Sequence, residues 1–446
     1  MRMSTSIPRP GTNTVGPDFD DDIIVEILLK LPAKSLLRFR CVCKSWRALI
    51  SDPSFVRNHL RRVNTNHFNL LVGTRWFSQA DVISKQDDGG IAITELDYPV
   101  TFSDPGCFMI YGSCNGLVCA GFENGNIIIW NPLTREFKQL PQPEGGSTHL
   151  EGDRYVALAG FGYDSTIEDY KVIRVTRVFD YDTTLQVFTL KTGSWRTNLE
   201  FNHIRLRYYN TRSQTPGFLL NETLHWVAKL RGSEYEEGTM GIVTIGLADE
   251  RFQVMALLPC RHSNCPISSS IVMSGNSLLV SHEFSIWMMK EYGVEESWTE
   301  VIYIYPEDLP QGFSFYLAPI CILDNGEVLL NCRKDLGLYD PERERYRNVI
   351  WTCEVPCPLY VSYVETLISP QNGICESENN IASTLENKGA RMEVLSFNIP
   401  APSGWSKKGR KTKRGRWSHQ RRSNSTPCLN IHSQLAPTNS NDPSSS

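Results

Sequence analysis

Cys41-Val42-Cys43 sets two thiols within LLRFRCVCKSWRALI (36–50), flanked by Arg38, Arg40, Lys44 and Arg47. Thiols and cations at close spacing could bind a metal or a phosphate backbone. Structural zinc takes ligands in two pairs, each spaced by two to four residues. These two thiols stand one residue apart, so on a helix they point about 200° from each other. No second pair follows. Cys260, His262 and Cys265, and separately Cys353 and Cys357, are the nearest other groupings, and neither completes a site. Free cysteines pack as small hydrophobes, so no metal and no cofactor is expected. The four cations alternate with Leu37, Phe39, Val42 and Trp46. That alternation suggests a solvated face opposite a packed one, and nucleic-acid binding is not expected.

Gly112-Ser113-Cys114-Asn115-Gly116 has the form of a hydrolase nucleophile elbow. An elbow needs a strand before the nucleophile and a helix after it. Here apolar runs of strand character flank both sides, and Asn-Gly is a hairpin turn signal. The reading is a turn, and no catalytic residue is assigned. KKGRKTKRGR (407–416) is a third candidate, with Lys407, Lys408, Arg410, Lys411, Lys413, Arg414 and Arg416 and no apolar partner. It reads as a nuclear-import candidate, with a solubilising charge run as the plainer alternative.

The charge is unevenly spread. The chain of 446 residues carries −4, while residues 401–446 hold nine Lys or Arg and one acid, Asp442. The remainder therefore carries −12, an acidic body with a basic tail. No secretory signal pattern opens the chain, and no run of 18 apolar residues marks a membrane span. Thirteen cysteines then point to free thiols in a reducing compartment. The expected location is the cytoplasm or the nucleus, with no membrane partner.

Texture divides the chain into four parts. Residues 1–17 read as a disordered arm, 18–62 as helical, 66–370 as strands and turns, and 371–446 as a disordered tail. In the helical part Ile23, Ile24, Ile27, Leu28 and Leu31 follow one helix face, and Asp18, Asp20, Asp21 and Asp22 suit its N-terminus. Pro32 ends this helix. Further helices are expected over 35–42 and 44–50. Asp52-Pro53 opens a short fourth segment, SFVRNHL. Of residues 19–60, 22 of 42 are apolar. A unit this small hides only about 60% of its unfolded surface. The surplus predicts an exposed docking surface.

The strand part shows a diffuse repeat. GSCNGLVCAG, FLLNETLHWVA, VMSGNSLLVSHE and ILDNGEVLLNC each set a turn between two apolar runs. A second half-repeat ends on Phe137, Trp195, Phe252, Trp298 and Tyr346, spaced roughly like four-stranded propeller blades. Residues 66–99 could supply a degenerate sixth unit, and LYVSYVETLIS (359–369) a closing strand. The predicted fold is α+β and multidomain: three small helices, then an all-β propeller of about six blades, with a β-sandwich pair as the alternative.

Two resemblances follow from these residues. DIIVEILLKLPAKSLLRFRCVCKSWRALISDPSFVRNHL resembles an F-box, although Phe19-Asp20 stands where the family usually begins with Leu-Pro. GSCNGLVC, WNPLTREFKQLP, FGYDSTIEDYKVIR and YVETLIS, in that order, resemble the F-box-associated, kelch-like domain of plant F-box proteins. The resemblance implies a non-catalytic subunit of an SCF-type ubiquitin ligase. Its F-box would hold a Skp-family adaptor, and through it a cullin, while the β domain would hold a protein substrate. The positions carried over for adaptor contact are Phe19, Ile23, Ile27, Leu31, Pro32, Leu36, Val42, Cys43 and Trp46. The alternative is a propeller-type binding protein or enzyme with a vestigial F-box. Substrate-binding residues are unassigned, since loops carry no transferable code; segments 142–158 and 200–216 are candidates by length alone.

Overall fold

The computed structural model describes residues 21–62, 67–73, 93–97, 108–122, 125–143, 154–178, 183–198, 206–207, 216–230, 239–257, 270–272, 277–282, 284–309, 317–323, 325–332, 335–352, 359–371 and 391–398. Phe19, the two zinc-like groupings near 260 and 355, the basic run 407–416 and most of segments 142–158 and 200–216 lie outside these residues.

Four helices come first: α1 (Asp21–Leu28), α2 (Ala33–Phe39), α3 (Lys44–Ser51) and α4 (Pro53–Arg62). The count is four rather than three, because the short fourth segment is the longest helix. Its start is well capped: Asp52 Oδ1 accepts from the N–H groups of Ser54 at 2.8 Å and Phe55 at 3.2 Å. Such caps stabilise a helix by about 1 kcal/mol. Leu28, Leu29, Ala33, Leu36, Ile50 and Phe55 form the shared core. His59 is buried and its Nε2 lies 2.8 Å from the Leu31 carbonyl oxygen. Arg62 grips Glu26 through both guanidinium ends, at 2.9 and 3.1 Å, so α4 clamps α1.

The β domain opens with β1 (His67–Gly73) and β2 (Ile93–Asp97). Five sheets of consecutive strands follow. Blade 1 is β3 (Phe108–Cys114), β4 (Leu117–Phe122), β5 (Ile127–Trp130) and β6 (Phe137–Leu140). Blade 2 is β7 (Arg154–Asp164), β8 (Asp169–Val178), β9 (Thr183–Thr189) and β10 (Ser194–Asn198). Blade 3 is β11 (Leu206–Arg207), β12 (Phe218–Leu220), β13 (Thr223–Leu230), β14 (Met240–Gly246) and β15 (Phe252–Leu257). Blade 4 is β16 (Ser270–Val272), β17 (Leu279–His282), β18 (Ser285–Met289) and β19 (Trp298–Tyr303). Blade 5 is β20 (Leu317–Ile322), β21 (Val328–Cys332), β22 (Asp335–Asp340) and β23 (Arg345–Thr352).

The sixth sheet joins both ends of the domain. β24 (Leu359–Tyr363) and β25 (Arg391–Asn398) flank β1, and β2 completes the order β2-β25-β1-β24. The domain is a propeller, and the sandwich alternative is set aside. β25 falls within 371–446, which was expected to be without structure; Val394, Leu395 and Phe397 give that short run strand character inside a polar segment.

Blades stack face to face, so strands buried on both faces read as unbroken apolar runs. In β4, Leu117 and Cys119 face blade 2, while Val118, Ala120 and Phe122 face the sixth sheet. β5 divides the same way, with Ile127 and Ile129 on one side and Ile128 and Trp130 on the other. The repeat's aromatic positions Phe137, Trp195, Phe252, Trp298 and Tyr346 all lie at the start of the outer strand of their blade.

Candidate docking surface and its seat on the propeller

The helical module divides its apolar residues between a core and a surface. In α1, Leu28 is buried and Ile24 half-buried, whereas Ile23 and Ile27 are 50% and 53% exposed. They lie four positions apart, on one helix face. Val42, in the turn between α2 and α3, is 61% exposed. Three large aliphatic side chains left in water on so small a unit cost several kcal/mol of unrealised burial, at about 1.5–3 kcal/mol each. Pro32 and Cys43 are exposed beside them in sequence.

The other carried-over positions behave differently. Leu36 is 0% exposed and belongs to the module's core, because α2 turns it toward Ile50 and Phe55; it offers a partner no surface. Leu31 and Trp46 are half-buried against that core, and the Trp46 ring packs on Phe39 at 5.6 Å between centroids. Five of the nine positions are therefore open to a partner, two are shared, one is internal and Phe19 is outside the described residues.

Cys43 caps α3. Its Sγ accepts from the Trp46 N–H at 3.4 Å and lies 3.1 Å from the Ser45 hydroxyl. The Ser45 contact and then the Trp46 N–H favour the thiolate and hold this thiol below its usual range. Cys114 is the opposite case. It ends β3, with Asn115 at φ 52° and Gly116 at φ 83° forming the hairpin turn. Burial pushes its thiol up to about 12, so it is not a poised nucleophile. No group of three or more His, Cys, Asp or Glu able to hold a metal occurs among the described residues.

The module does not hang from a linker. Leu133, in the β5–β6 turn, and Leu367, just after β24, pack into the helical core. Val56 and Leu60 of α4 pack in turn against the cluster between blades 1 and 2. Arg40 is half-buried; burial lowers its guanidinium and the charge of Glu136 opposes that fall. Its Nη2 donates to the Ile50 carbonyl at 3.5 Å. One of the four cations near the Cys41–Cys43 turn is thus tied into the fold.

Asn131 anchors this seat. It is 0% exposed; its Nδ2 donates to the carbonyls of Thr366 at 3.1 Å and Ile368 at 2.7 Å, and its Oδ1 accepts from the N–H groups of Leu133 and Thr134. Thr366 Oγ1 donates to the Asn115 carbonyl at 2.8 Å. The segments around Asn115, Asn131 and Thr366 thus meet at one edge of blade 1. In an antiparallel blade of consecutive strands, the β3–β4 and β5–β6 turns lie at one edge and the β4–β5 turn at the other. The helices sit at the edge of the β3–β4 and β5–β6 turns, and β6 and β10 end at the opposite edge.

A second network joins blades 2 and 3. Lys171 Nζ lies 2.8 Å from Asp164 and 2.9 Å from Glu250, and it donates to the Leu247 carbonyl at 2.6 Å. Arg196 pairs with Glu250 from outside. Asp164 and Lys171 pair across the hairpin of FGYDSTIEDYKVIR, a contact that residue spacing does not report.

Comparison with known proteins agrees with this architecture. Residues 17–58 match the F-box domain family, and residues 79–370 match the F-box associated beta propeller domain family. An F-box/kelch-repeat protein of Arabidopsis thaliana is 26% identical over 368 residues, 79% of this chain and 95% of its own length. The F-box protein CPR1 of the same plant is 30% identical over 336 residues, 69% of this chain and 78% of its own length. The chain belongs to the F-box proteins that carry an F-box associated β-propeller domain.

Proposed function

We propose that this protein is the substrate-recognition subunit of an SCF-type ubiquitin ligase. The F-box binds a Skp-family adaptor and, through it, a cullin. The propeller holds a target protein for ubiquitination. No residue of this chain needs to do chemistry, because holding the target near the ubiquitin-charged partner raises its effective concentration. The observation that carries the reading is the exposure of Ile23, Ile27 and Val42 on a module whose other large apolar residues are buried or half-buried. Family membership supports the same role.

The seat gives the role a geometry. Because the helices rest on the turn edge of blade 1, a target held at the opposite edge would stand one blade height from the adaptor. For a cellular address we propose the cytoplasm with entry to the nucleus through Lys407–Arg416, read from the sequence alone. The test of the main reading is reconstitution: purified full-length chain with adaptor and cullin should form a stable complex, and failure to bind the adaptor would remove the proposal.

A further inference from the structure

Arg174 lies on β8, and its 0% exposure makes it one of the largest fully buried side chains. It shares the strand face of Tyr170 and Val172, which is turned to blade 1. Its Nε, Nη1 and Nη2 meet no carboxylate or carbonyl acceptor among the described residues, and only the Tyr111 phenol lies within reach. Its Cζ stands 5.8 Å from the ring centroid of Trp195. Tyr111 of β3 is its neighbour across the blade boundary, also 0% exposed, and its hydroxyl interacts with the Arg174 guanidinium and with no other hydrogen-bonding group among the described residues. Gly121 makes room for that phenol, since a Cβ there would stand 2.5 Å from the Tyr111 hydroxyl oxygen.

A buried cation without a counter-charge costs several kcal/mol. The Trp195 face returns about 2 kcal/mol of that. Among the described residues the neighbours supply no anion. Burial raises the Tyr111 phenol and holds the Cys119 thiol well above its usual range, and the Arg174 charge offsets only part of each. Asp164 and Glu250 are committed to Lys171. What the site offers is a set of donors only: guanidinium N–H groups in a fork and one phenolic O–H. A fork of N–H donors matches two oxygens of an oxyanion.

We propose that Arg174 and Tyr111 form a binding site for one small oxyanion of the phosphate class, held between blades 1 and 2. The surrounding side chains Ile127, Val172 and Phe188 are apolar and provide no second cation, so the site takes a small ion carrying little more than a single charge. Val56 and Leu60 of α4 rest on the same inter-blade cluster. The ion would therefore stiffen the part of the propeller that seats the F-box. This site is independent of the ligase role.

The test is thermal unfolding of the full-length chain with inorganic phosphate, against sodium chloride at equal ionic strength. The expected result is a saturable rise in Tm of at least about 2 °C with phosphate only. Arg174→Met should abolish that rise, and Tyr111→Phe, which removes one hydroxyl, should shrink it. If Arg174→Met fails to fold, Tyr111→Phe alone decides. No phosphate-specific rise in the wild type, or an unchanged rise in Tyr111→Phe, overturns the proposal.

Discussion

The Asn131 side-chain amide donates to the Ile368 carbonyl at 2.7 Å across 237 residues of chain. This one bond links the turn of blade 1 to the segment that leaves the ring's closing strand. With the bond to Thr366, it fixes the platform on which Leu133 and Leu367 meet the helices. Removing the amide leaves two buried carbonyls unpaired, at about 1–3 kcal/mol each. Asn131→Ala should lower Tm by several degrees and raise proteolysis between the F-box and blade 1. Limited proteolysis with intact-mass readout checks this; an unchanged cleavage pattern would mean that the seat does not depend on Asn131.

Leu36 and Val42 separate packing from docking. Leu36→Ala should destabilise the chain by about 2–5 kcal/mol, as core truncations do. Val42→Asp should leave Tm within about 1 °C and abolish adaptor binding. Chemical denaturation beside a binding assay distinguishes the two. A stability loss in Val42→Asp equal to that in Leu36→Ala would show that Val42 is part of the core.

The Lys171 cluster sets a pH dependence. Burial alone would raise the Asp164 carboxyl, but bonds from Lys171 and Thr166 outweigh it and hold it below its ordinary value. Its contribution is present above the unfolded value near 3.9 and is lost as pH falls through the lower folded value. For Lys171, burial lowers the ammonium, yet Asp164 and Glu250 raise it beyond the ordinary value. That contribution is full below about 10.4 and fades as pH rises through the higher folded value. Lys171→Met should cost about 3–5 kcal/mol near neutral pH, because buried Asp164 loses its charged partner and Glu250 keeps only Arg196. The gap from the wild type should narrow below about pH 3. Denaturant midpoints across pH test this, and a pH-independent gap would refute it.

Cys43 should be the first described thiol to react with a maleimide. It is exposed and its thiol is lowered, whereas Cys114, Cys119 and Cys321 are raised by burial. Bound adaptor should slow labelling of Cys43 at least about tenfold if the α2–α3 turn is covered. Peptide mapping by mass spectrometry reads this directly, and equal rates with and without adaptor would place the turn outside the interface.

Much of this was legible in the residues, for physical reasons. Asp52-Pro53 announced α4, because a cap and a proline at the first turn leave few other options. Asn115-Gly116 announced its hairpin, because both residues accept positive φ. The aromatic residues at the head of each outer strand carried the blade period. Orientation was less legible. Ile23, Ile24, Ile27, Leu28 and Leu31 read as one stripe, but the stripe is wider than the contact, so its Ile23–Ile27 edge faces solvent while Leu28 faces the core. Leu36 looked like surface in a family pattern and is internal. The seat of Leu133 and Leu367, the pairing of β25 with β1 and the isolation of Arg174 all join residues far apart in the chain, and spacing cannot report such contacts.

The proposed role places the adaptor on the exposed aliphatic face of the F-box. Its most direct test is the dissociation constant between purified adaptor and full-length chain, for the wild type and for Ile27→Asp/Val42→Asp. The wild type should bind tightly and the double variant should lose at least about 100-fold in affinity, with thermal stability retained. Equal affinities in the two proteins would contradict it.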